Sequence, residues 1–448
     1  MSLAGAGLAG VGAPAVWIAR MCATVPRARE LARGGLRGRH AAVDRPNLIP
    51  VTRAQGAIAA PFARSTGGCA MADVIVVGAG VIGLSASWRL ASDGAEVVCC
   101  DPAPARGSSW AAGGMLAPVT EVTYGEEALL RLSLAGRARW DGFADDLAGA
   151  TDVDVGYRRS GALVVARGSG DRAEIERLTA YQRELGLDVT LLRGSEARRR
   201  EPALAPGISG AVDCPQDAQI DNRGLMDGLV DAAAGAGVDL RERAVAAIRH
   251  RGGRVRGVRL DDGTELDADR VVAAAGADSA ALAGPDDPDI AAALPPVRPV
   301  KGQLLHLRAE PGEPALASRL VRGLLVYIVP RADGRVVVGA TMEERGFDRR
   351  VTVRGVHDLL TYATELLPGL AEYELVESTA GLRPATPDNA PVVGAAGPDG
   401  LIVATGHWRN GVLLAPITAE AVVALAGGQD PPEEVAAFGP ERFEGVRR

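Results

Sequence analysis

Asp73-Val74-Ile75-Val76-Val77 is an unbroken apolar run of the kind buried on both faces of a parallel sheet, and it leads directly into Gly78-Ala79-Gly80-Val81-Ile82-Gly83. A helix is predicted from Gly80 to Ser92, a second strand from Glu96 to Cys100, and Asp101 stands at its end. Each glycine has a physical task. Gly78 permits the tight turn, Gly80 lets the backbone approach a pyrophosphate with no Cβ in the way, and Gly83 allows the helix to pack closely on the strand. The phosphates would lie on the helix start, where free amides and the positive end of the dipole favour an anion. Asp101, 23 residues past Gly78, is placed to accept hydrogen bonds from a ribose 2′-hydroxyl. The pattern predicts a dinucleotide-binding βαβ unit.

That fingerprint does not separate NAD from FAD, because both present an ADP-ribose to the turn. Two further segments bear on the choice. Gly107-Ser108-Ser109-Trp110-Ala111-Ala112-Gly113-Gly114-Met115 offers small residues and hydroxyls where a ribityl chain and second phosphate could pass. Gly406-His407-Trp408-Arg409-Asn410-Gly411 leads into an apolar helix predicted from about Ile417, a second set of helix-start amides for a polar ring edge.

Elsewhere strands (Gly161 to Ala166, Val255 to Leu260, Arg270 to Ala275) alternate with helical stretches (Asp171 to Leu185, Arg223 to Ala236), an α/β or mixed α+β pattern. Gln303 to Leu307, Leu324 to Val329 and Arg335 to Ala340 read as strands, with Asp333-Gly334 as a hairpin turn, so an antiparallel sheet in a second domain is predicted. With 448 residues the chain is long enough for two or more domains.

Composition removes several classes. Residues 1 to 70 carry nine arginines against Glu30 and Asp44, a charge of +7, and the remainder carries −14. The acidic body offers no basic patch for nucleic acid, and Arg198-Arg199-Arg200 reads as a solvated helix face. The first 70 residues hold no periodicity, and Met71 abuts the first strand, so they are read as a disordered or mis-assigned extension. No run has the length and apolarity of a membrane span. Cys22, Cys69, Cys99, Cys100 and Cys214 show neither zinc nor disulfide spacing, which fits a cytoplasmic protein without metal.

The chain resembles the D-amino-acid-oxidase-like FAD-dependent oxidoreductases over about residues 71 to 430, most closely the glycine oxidases of the thiamine pathway. The resemblance rests on the GAGVIG unit, Val271-Val272-Ala273-Ala274-Ala275-Gly276, Tyr327-Ile328-Val329-Pro330-Arg331, Gly339-Ala340-Thr341-Met342, Ala380-Gly381-Leu382-Arg383-Pro384 and Gly406 to Gly411. It implies a Rossmann-type FAD-binding domain built from 71–155, 212–296 and 379–430. A largely antiparallel α+β substrate domain would be built from 156–211 and 297–378, with 431–448 as a tail.

By the same resemblance Arg383 pairs with the substrate carboxylate, Tyr327 helps to fix it, and Met342 and Arg409 line the pocket. Implied FAD contacts fall at Gly78, Gly80, Val81, Ile82, Gly83, Asp101, Ser108, Ser109, Ala112, Gly113, Met115, Val245, Ala275, Gly276, His407, Arg409, Asn410, Gly411, Val412 and Leu413. Independently, a guanidinium binds a carboxylate through two parallel hydrogen bonds, which suits Arg383 as an anchor. Gly381 stands where flavin-linking relatives place a cysteine, so non-covalent FAD is expected, and Leu325 stands where some relatives have histidine.

The implied activity is oxidation of a small amino acid by dioxygen in a homo-oligomer, glycine being the first candidate, with thiazole-forming enzymes as possible partners. No side chain is assigned as acid or base, because hydride passes to the flavin. A D-amino-acid or sarcosine oxidase or dehydrogenase, and a flavin-binding subunit without turnover, stay open at this point.

Overall fold

The structure, a computed structural model, describes residues 72 to 443 except Asp286. The extension expected at 1 to 70, with Cys22 and Cys69, lies outside the described residues, as does 444 to 448 of the expected tail. The apolar run at 73 to 77 does become a central strand, Ala72–Val77, with Val74, Ile75 and Val76 fully buried. It pairs in parallel with Val97–Cys100 on one side and Glu265–Ala273 on the other. The sheet extends in parallel to Asp239–Arg241 and to Leu401–Thr405, where Val392–Ala395 closes it antiparallel.

Helices Val81–Ser92, Glu127–Ala150, Asn222–Gly235 and Gly411–Ala426 share one apolar core on this sheet. Within it Trp140 is fully buried and donates its indole N–H to Leu413 O at 2.9 Å, so burying the ring leaves no polar group unpaired. The long Glu127–Ala150 helix is not among the elements read from the sequence. On the other side of the sheet, the hairpin Val245–Arg251 and Arg254–Leu260 contributes to a second core with Val77 and Cys100.

The second sheet runs in spatial order Glu374–Ala385, Arg298–Arg308, Arg335–Gly339, Tyr327–Pro330, Leu320–Arg322, Ala162–Ala166, Gly210–Cys214 and Thr190–Arg193. All neighbours are antiparallel except Leu320–Arg322 with Ala162–Ala166. The antiparallel character expected for 303 to 342 is thus present, with the Asp333-Gly334 turn at Gly334 φ +83°. Glu374–Ala385 follows Arg298–Arg308 for its whole length, so the expected domain boundary at 379 falls inside this strand, and that at 212 inside Gly210–Cys214.

Three element boundaries need correcting. The C-terminal helix begins at Gly411, not Ile417; Pro416 reads as a boundary in sequence, yet it sits inside the helix in a core where burial outweighs one missing N–H. The strand expected from Leu324 begins at Tyr327, because Gly323 N–H donates to Val326 O at 2.8 Å and closes a tight turn with Leu325 exposed. The strand expected at Arg270 to Ala275 is Glu265–Ala273, its polar first half paired with the neighbouring hairpin.

Candidate cofactor and substrate site

The glycine turn has the geometry its sequence demands. Gly78 adopts φ +106°, and a Cβ there would lie 2.5 Å from Ala274 O and 2.9 Å from Ala275 Cα. Ala275 and Gly276, which open the turn after Glu265–Ala273, are thereby seated directly on the loop. At Gly83 a Cβ would lie 1.7 Å from Gly78 O, so only glycine lets the helix sit this close to the strand. Asp101 faces the same turn, Oδ2 accepting from Ala79 N–H and Oδ1 from Ala103 N–H, both at 2.8 Å. Ser109 Oγ accepts from Val81 N–H at 3.0 Å, while no side chain caps the helix at Gly80.

A second helix start lies near the first: a Cβ added at Gly411 would lie 3.9 Å from Val81 Cγ1, and Asn410 provides no side-chain cap. The N–H groups of Gly411, Val412 and Leu413 therefore head a helix with no side chain to accept them, as a polar ring edge would require. Trp408 N–H donates to Pro384 O at 2.9 Å, which ties this loop to the residue after Arg383. Gly113 and Met115 lie on the same side, Met115 pairing with Gln219, and Ala112 N–H donates to Ser109 O at 3.3 Å. Ser108 Oγ donates to Leu382 O and, with Ala111 and Gly381, lines one wall of a cavity of about 280 Å³. A Cβ-free turn with an acid facing it, and a second helix start with no side-chain cap from Asn410, together fit a dinucleotide.

Two of the expected cofactor residues turn their side chains toward the core. Val245 opens the Val245–Arg251 strand opposite Leu260 and packs on the core that contains Val77 and Cys100. His407 turns its ring away from solvent, with Nε2 bonded to Thr418 Oγ1 at 3.0 Å. Burial pushes its pKa down to about 3. The folded state then binds fewer protons than the unfolded one between about pH 3 and 6.5, and stability must rise with pH across that window. We expect wild type to lose up to about 1.4 kcal/mol per pH unit below 6.5 on this account, and His407→Gln to lack that component. Chemical denaturation of both proteins from pH 7.5 to 4.5 checks this; parallel curves would refute it.

The proposed substrate residues gather on one face of the second sheet. Tyr327 pairs with Gly339 on one side and with Arg322 on the other, and its ring covers Gly339, where a Cβ would meet the phenol at 2.3 Å. Gly113 comes equally close to the ring from the flavin-fold side, its added Cβ 2.7 Å from Tyr327 Cε2. Arg383, opposite Val300, lays its guanidinium over Gly302, where a Cβ would lie 2.4 Å from both Nη atoms. It donates to Thr341 O at 3.1 Å and to Lys301 O at 3.4 Å and lies close enough to Tyr327 for each to act on the other's charge. Burial lowers the Arg383 pKa, against the field of Tyr327, and burial raises that of Tyr327, against the field of Arg383. At neutral pH the pair is therefore a guanidinium beside a neutral phenol. Among the described residues, Arg383 has no ion-pair partner. Gly302→Ala should displace the guanidinium and lower kcat/KM by about tenfold or more, a misplacement effect, with flavin content unchanged. Steady-state kinetics with a flavin spectrum test it.

Behind Arg383, Lys301 is buried and pairs with Glu343 at 3.0 Å, and Glu343 also accepts from Gln303 and Thr341. Burial opposes the Glu343 charge, but hydrogen bonds from Thr341, Gln303 and Lys301 outweigh it and hold its pKa below the usual range. This network fixes the segment whose Thr341 carbonyl receives Arg383. Met342 lies half-buried in the same segment.

Four groups absent from the sequence reading complete the site. Arg331 is buried and donates to Ile220 O at 2.7 Å and to Gly113 O at 2.9 Å, so it braces the Gly113 segment. Glu121 Oε1 pairs with Arg322 Nη1 at 2.8 Å, and its Oε2 pairs with Arg409 Nη2. Asp217 accepts from Val119 N–H at 3.0 Å and Thr120 N–H at 3.1 Å; burial pushes its pKa up to about 6 despite those bonds and the nearby Arg322. Arg409, expected to line the pocket, does so as half of an ion pair, and burial lowers its pKa to about 10.

The glycine turn with Asp101 facing it, and an Arg383 guanidinium without an ion-pair partner among the described residues, are the arrangement expected of a nucleotide-dependent oxidoreductase. The profile described as FAD dependent oxidoreductase matches residues 73–425, and the chain belongs to that family, whose cofactor is FAD. It is 35% identical to the bifunctional protein ThiO/ThiG of Synechocystis over 83% of its own length and 54% of that relative, so it spans about half of that protein. It is 34% identical to glycine oxidase of Geobacillus kaustophilus over 83% of the chain and 97% of the relative. The crystal structure of that glycine oxidase superposes with a TM-score of 0.77 at 33% identity, covering 83% of this chain and 99% of the other. Iminodiacetate oxidase from Chelativorans gives 0.74 at 29% identity, covering 82% and 98%. Among the described residues no helix is long and apolar enough to cross a membrane, and no cluster of His, Cys, Asp or Glu could hold a metal.

Proposed function

We propose that the chain is an FAD-dependent oxidase of small amino acids, glycine first among them, converting glycine, dioxygen and water to glyoxylate, ammonia and hydrogen peroxide. The observation that carries this reading is Arg383: a half-buried guanidinium without a carboxylate partner among the described residues, held by the Thr341 and Lys301 carbonyls next to Tyr327. Bound FAD supplies a two-electron acceptor and returns those electrons to dioxygen. The chain's own residues bind and orient.

Arg383 grips the substrate carboxylate through two N–H groups, and the neutral Tyr327 hydroxyl adds a third donor, which fixes the direction of the Cα–H bond. Tyr327, Leu304 and Val329 belong to an apolar cluster on this face, which limits water around the reacting carbon. Gly78, Gly80, Gly83 and Asp101 would hold the ADP-ribose end, Ser108, Ser109, Ala112, Gly113 and Met115 the middle, and Gly411, Val412 and Leu413 the ring edge. The similarity to a ThiO/ThiG bifunctional protein supports a place in thiamine biosynthesis, with a thiazole-forming enzyme as consumer. A peroxide-coupled screen of glycine, sarcosine and both alanine enantiomers, run beside anaerobic flavin reduction, tests the reading. Reduction without peroxide would make it a dehydrogenase, and no reduction by any of the four would overturn it.

The flavin is expected to be non-covalent. A Cβ at Gly381 would lie 2.9 Å from Ala111 Cβ, so the position that could carry an attaching cysteine has no room for a side chain. Acid precipitation should release all the FAD into the supernatant. Yellow colour retained in the pellet would contradict it.

A further inference from the structure

Arg322, Arg409 and Arg383 bring three guanidinium groups around Tyr327 and Glu121, beside Arg331, whose own guanidinium is committed to the Ile220 and Gly113 carbonyls, and a small amino acid carries one carboxylate. Register places Arg322 directly opposite Tyr327, so the two side chains rise on the same face of the sheet. Arg409 follows Trp408, whose N–H is bonded to Pro384 O next to Arg383. Two of the three cations are already matched. Glu121 spans them, one oxygen on each, and Asp217 adds a second carboxylate near Arg322.

The loop that delivers Glu121 is pinned from three directions. Asp217 accepts the amides of Val119 and Thr120, Arg322 donates to Thr120 O, and Gln182 donates to Val119 O at 2.8 Å. Glu121 itself is largely buried, with 13% of its side-chain surface exposed. A held carboxylate of this kind is not displaced cheaply, because a competing anion would leave it buried without a partner.

We propose that Glu121 is the residue that sets charge selectivity: by occupying Arg322 and Arg409 it leaves Arg383 as the one guanidinium open to substrate, so the site accepts amino acids with one carboxylate and rejects those with two. The inference rests on the reading of Arg383 as the substrate anchor. A second substrate carboxylate meets Glu121 rather than a free cation, and like charges in a poorly solvated site repel strongly.

The test uses the flavin-loaded enzyme and E121Q, which keeps the shape of the side chain and removes its charge. D-Aspartate and N-(carboxymethyl)glycine carry the second carboxylate in a carboxymethyl group, on Cα and on nitrogen respectively, and each is compared with glycine by kcat/KM. Acetate and malonate, which do not react, are compared by Kd from perturbation of the flavin absorption. E121Q should raise the ratio of at least one two-carboxylate substrate to glycine, and the ratio of malonate to acetate affinity, by about tenfold or more. The double variant E121Q/R409Q, which restores the charge balance, should give up that gain. Unchanged ratios overturn the proposal, and so does a gain that survives in the double variant, which would mark it as steric. If E121Q alone does not accumulate with flavin, R409Q is compared with E121Q/R409Q, a pair that also differs by this one charge, and the same rise is expected. Failure of wild type to oxidise any amino acid would instead strike the proposed function, with the malonate and acetate affinities still reporting on Glu121.

Discussion

Arg383→Ala should lower kcat/KM for a small amino acid by two to four orders of magnitude while FAD stays bound. The guanidinium lies over Gly302, is fixed by Thr341 O and Lys301 O beside Tyr327, and faces no carboxylate of its own among the described residues. Removing one partner of a buried ion pair costs about 3–5 kcal/mol, because the other charge is left desolvated. At about 1.4 kcal/mol per decade this gives the stated range. Arg383→Lys should recover little, since an ammonium supplies one point of charge where the fork supplies two parallel bonds. Tyr327→Phe should be milder, as it removes one hydroxyl and leaves the cation. Steady-state kinetics on the three variants, with flavin occupancy measured in parallel, decide the matter. Near-normal turnover by flavin-loaded Arg383→Ala would remove the anchor from the site.

What the sequence disclosed and what it hid divide along a physical line. The glycine turn, the strand before it and Asp101 were legible because each constraint acts within some thirty residues, and backbone sterics admit few solutions there. Arg383 and Tyr327 were legible through a resemblance, since nothing local distinguishes a binding arginine from a structural one. Arg322, Glu121 and Asp217 were not read at all. Their meaning depends on register across Leu320–Arg322 and Tyr327–Pro330 and on a loop about 200 residues away in sequence, contacts that no local pattern encodes. Gly302 and Gly339 could have been suspected, as glycines within strands often mark the close approach of another group. The C-terminal helix starts six residues before the expected Ile417 and runs through Pro416, which the surrounding core keeps in the helix.

His407 shows how little a motif says about a side chain's role. A histidine inside a cofactor motif invites a chemical role, yet here it sits in the core against Thr418 with its pKa pushed down to about 3, which makes it a neutral packing residue. Conversely, the buried carboxylate of Asp217, near an ordinary-looking Cys-Pro-Gln-Asp turn, is shifted up to about 6 and supports the loop carrying Glu121. Burial, which sequence reports only statistically, separates the two cases.

Gly83→Ala should abolish stable flavin binding. The methyl group would stand 1.7 Å from Gly78 O, 2.9 Å from Gly78 C and 3.3 Å from Val76 Cγ1, and the first two are backbone atoms that cannot rotate aside. Either the helix Val81–Ser92 lifts from the strand or the turn opens; both move the helix-start amides that would receive the pyrophosphate. Gly80→Ala separates fold from ligand. Gly80 has an ordinary φ of −78°, and an added Cβ would meet only Ser109 Oγ at 3.4 Å, so the apoprotein should keep its stability. The same methyl would nevertheless project where the phosphates approach, and FAD affinity should fall. Flavin per chain from absorbance, with Tm of the apoproteins, distinguishes them: both variants pale, but only Gly83→Ala with a lowered apoprotein Tm. A Gly83→Ala protein that purifies with one FAD per chain would show that the close helix-to-strand contact is not what builds this cofactor site.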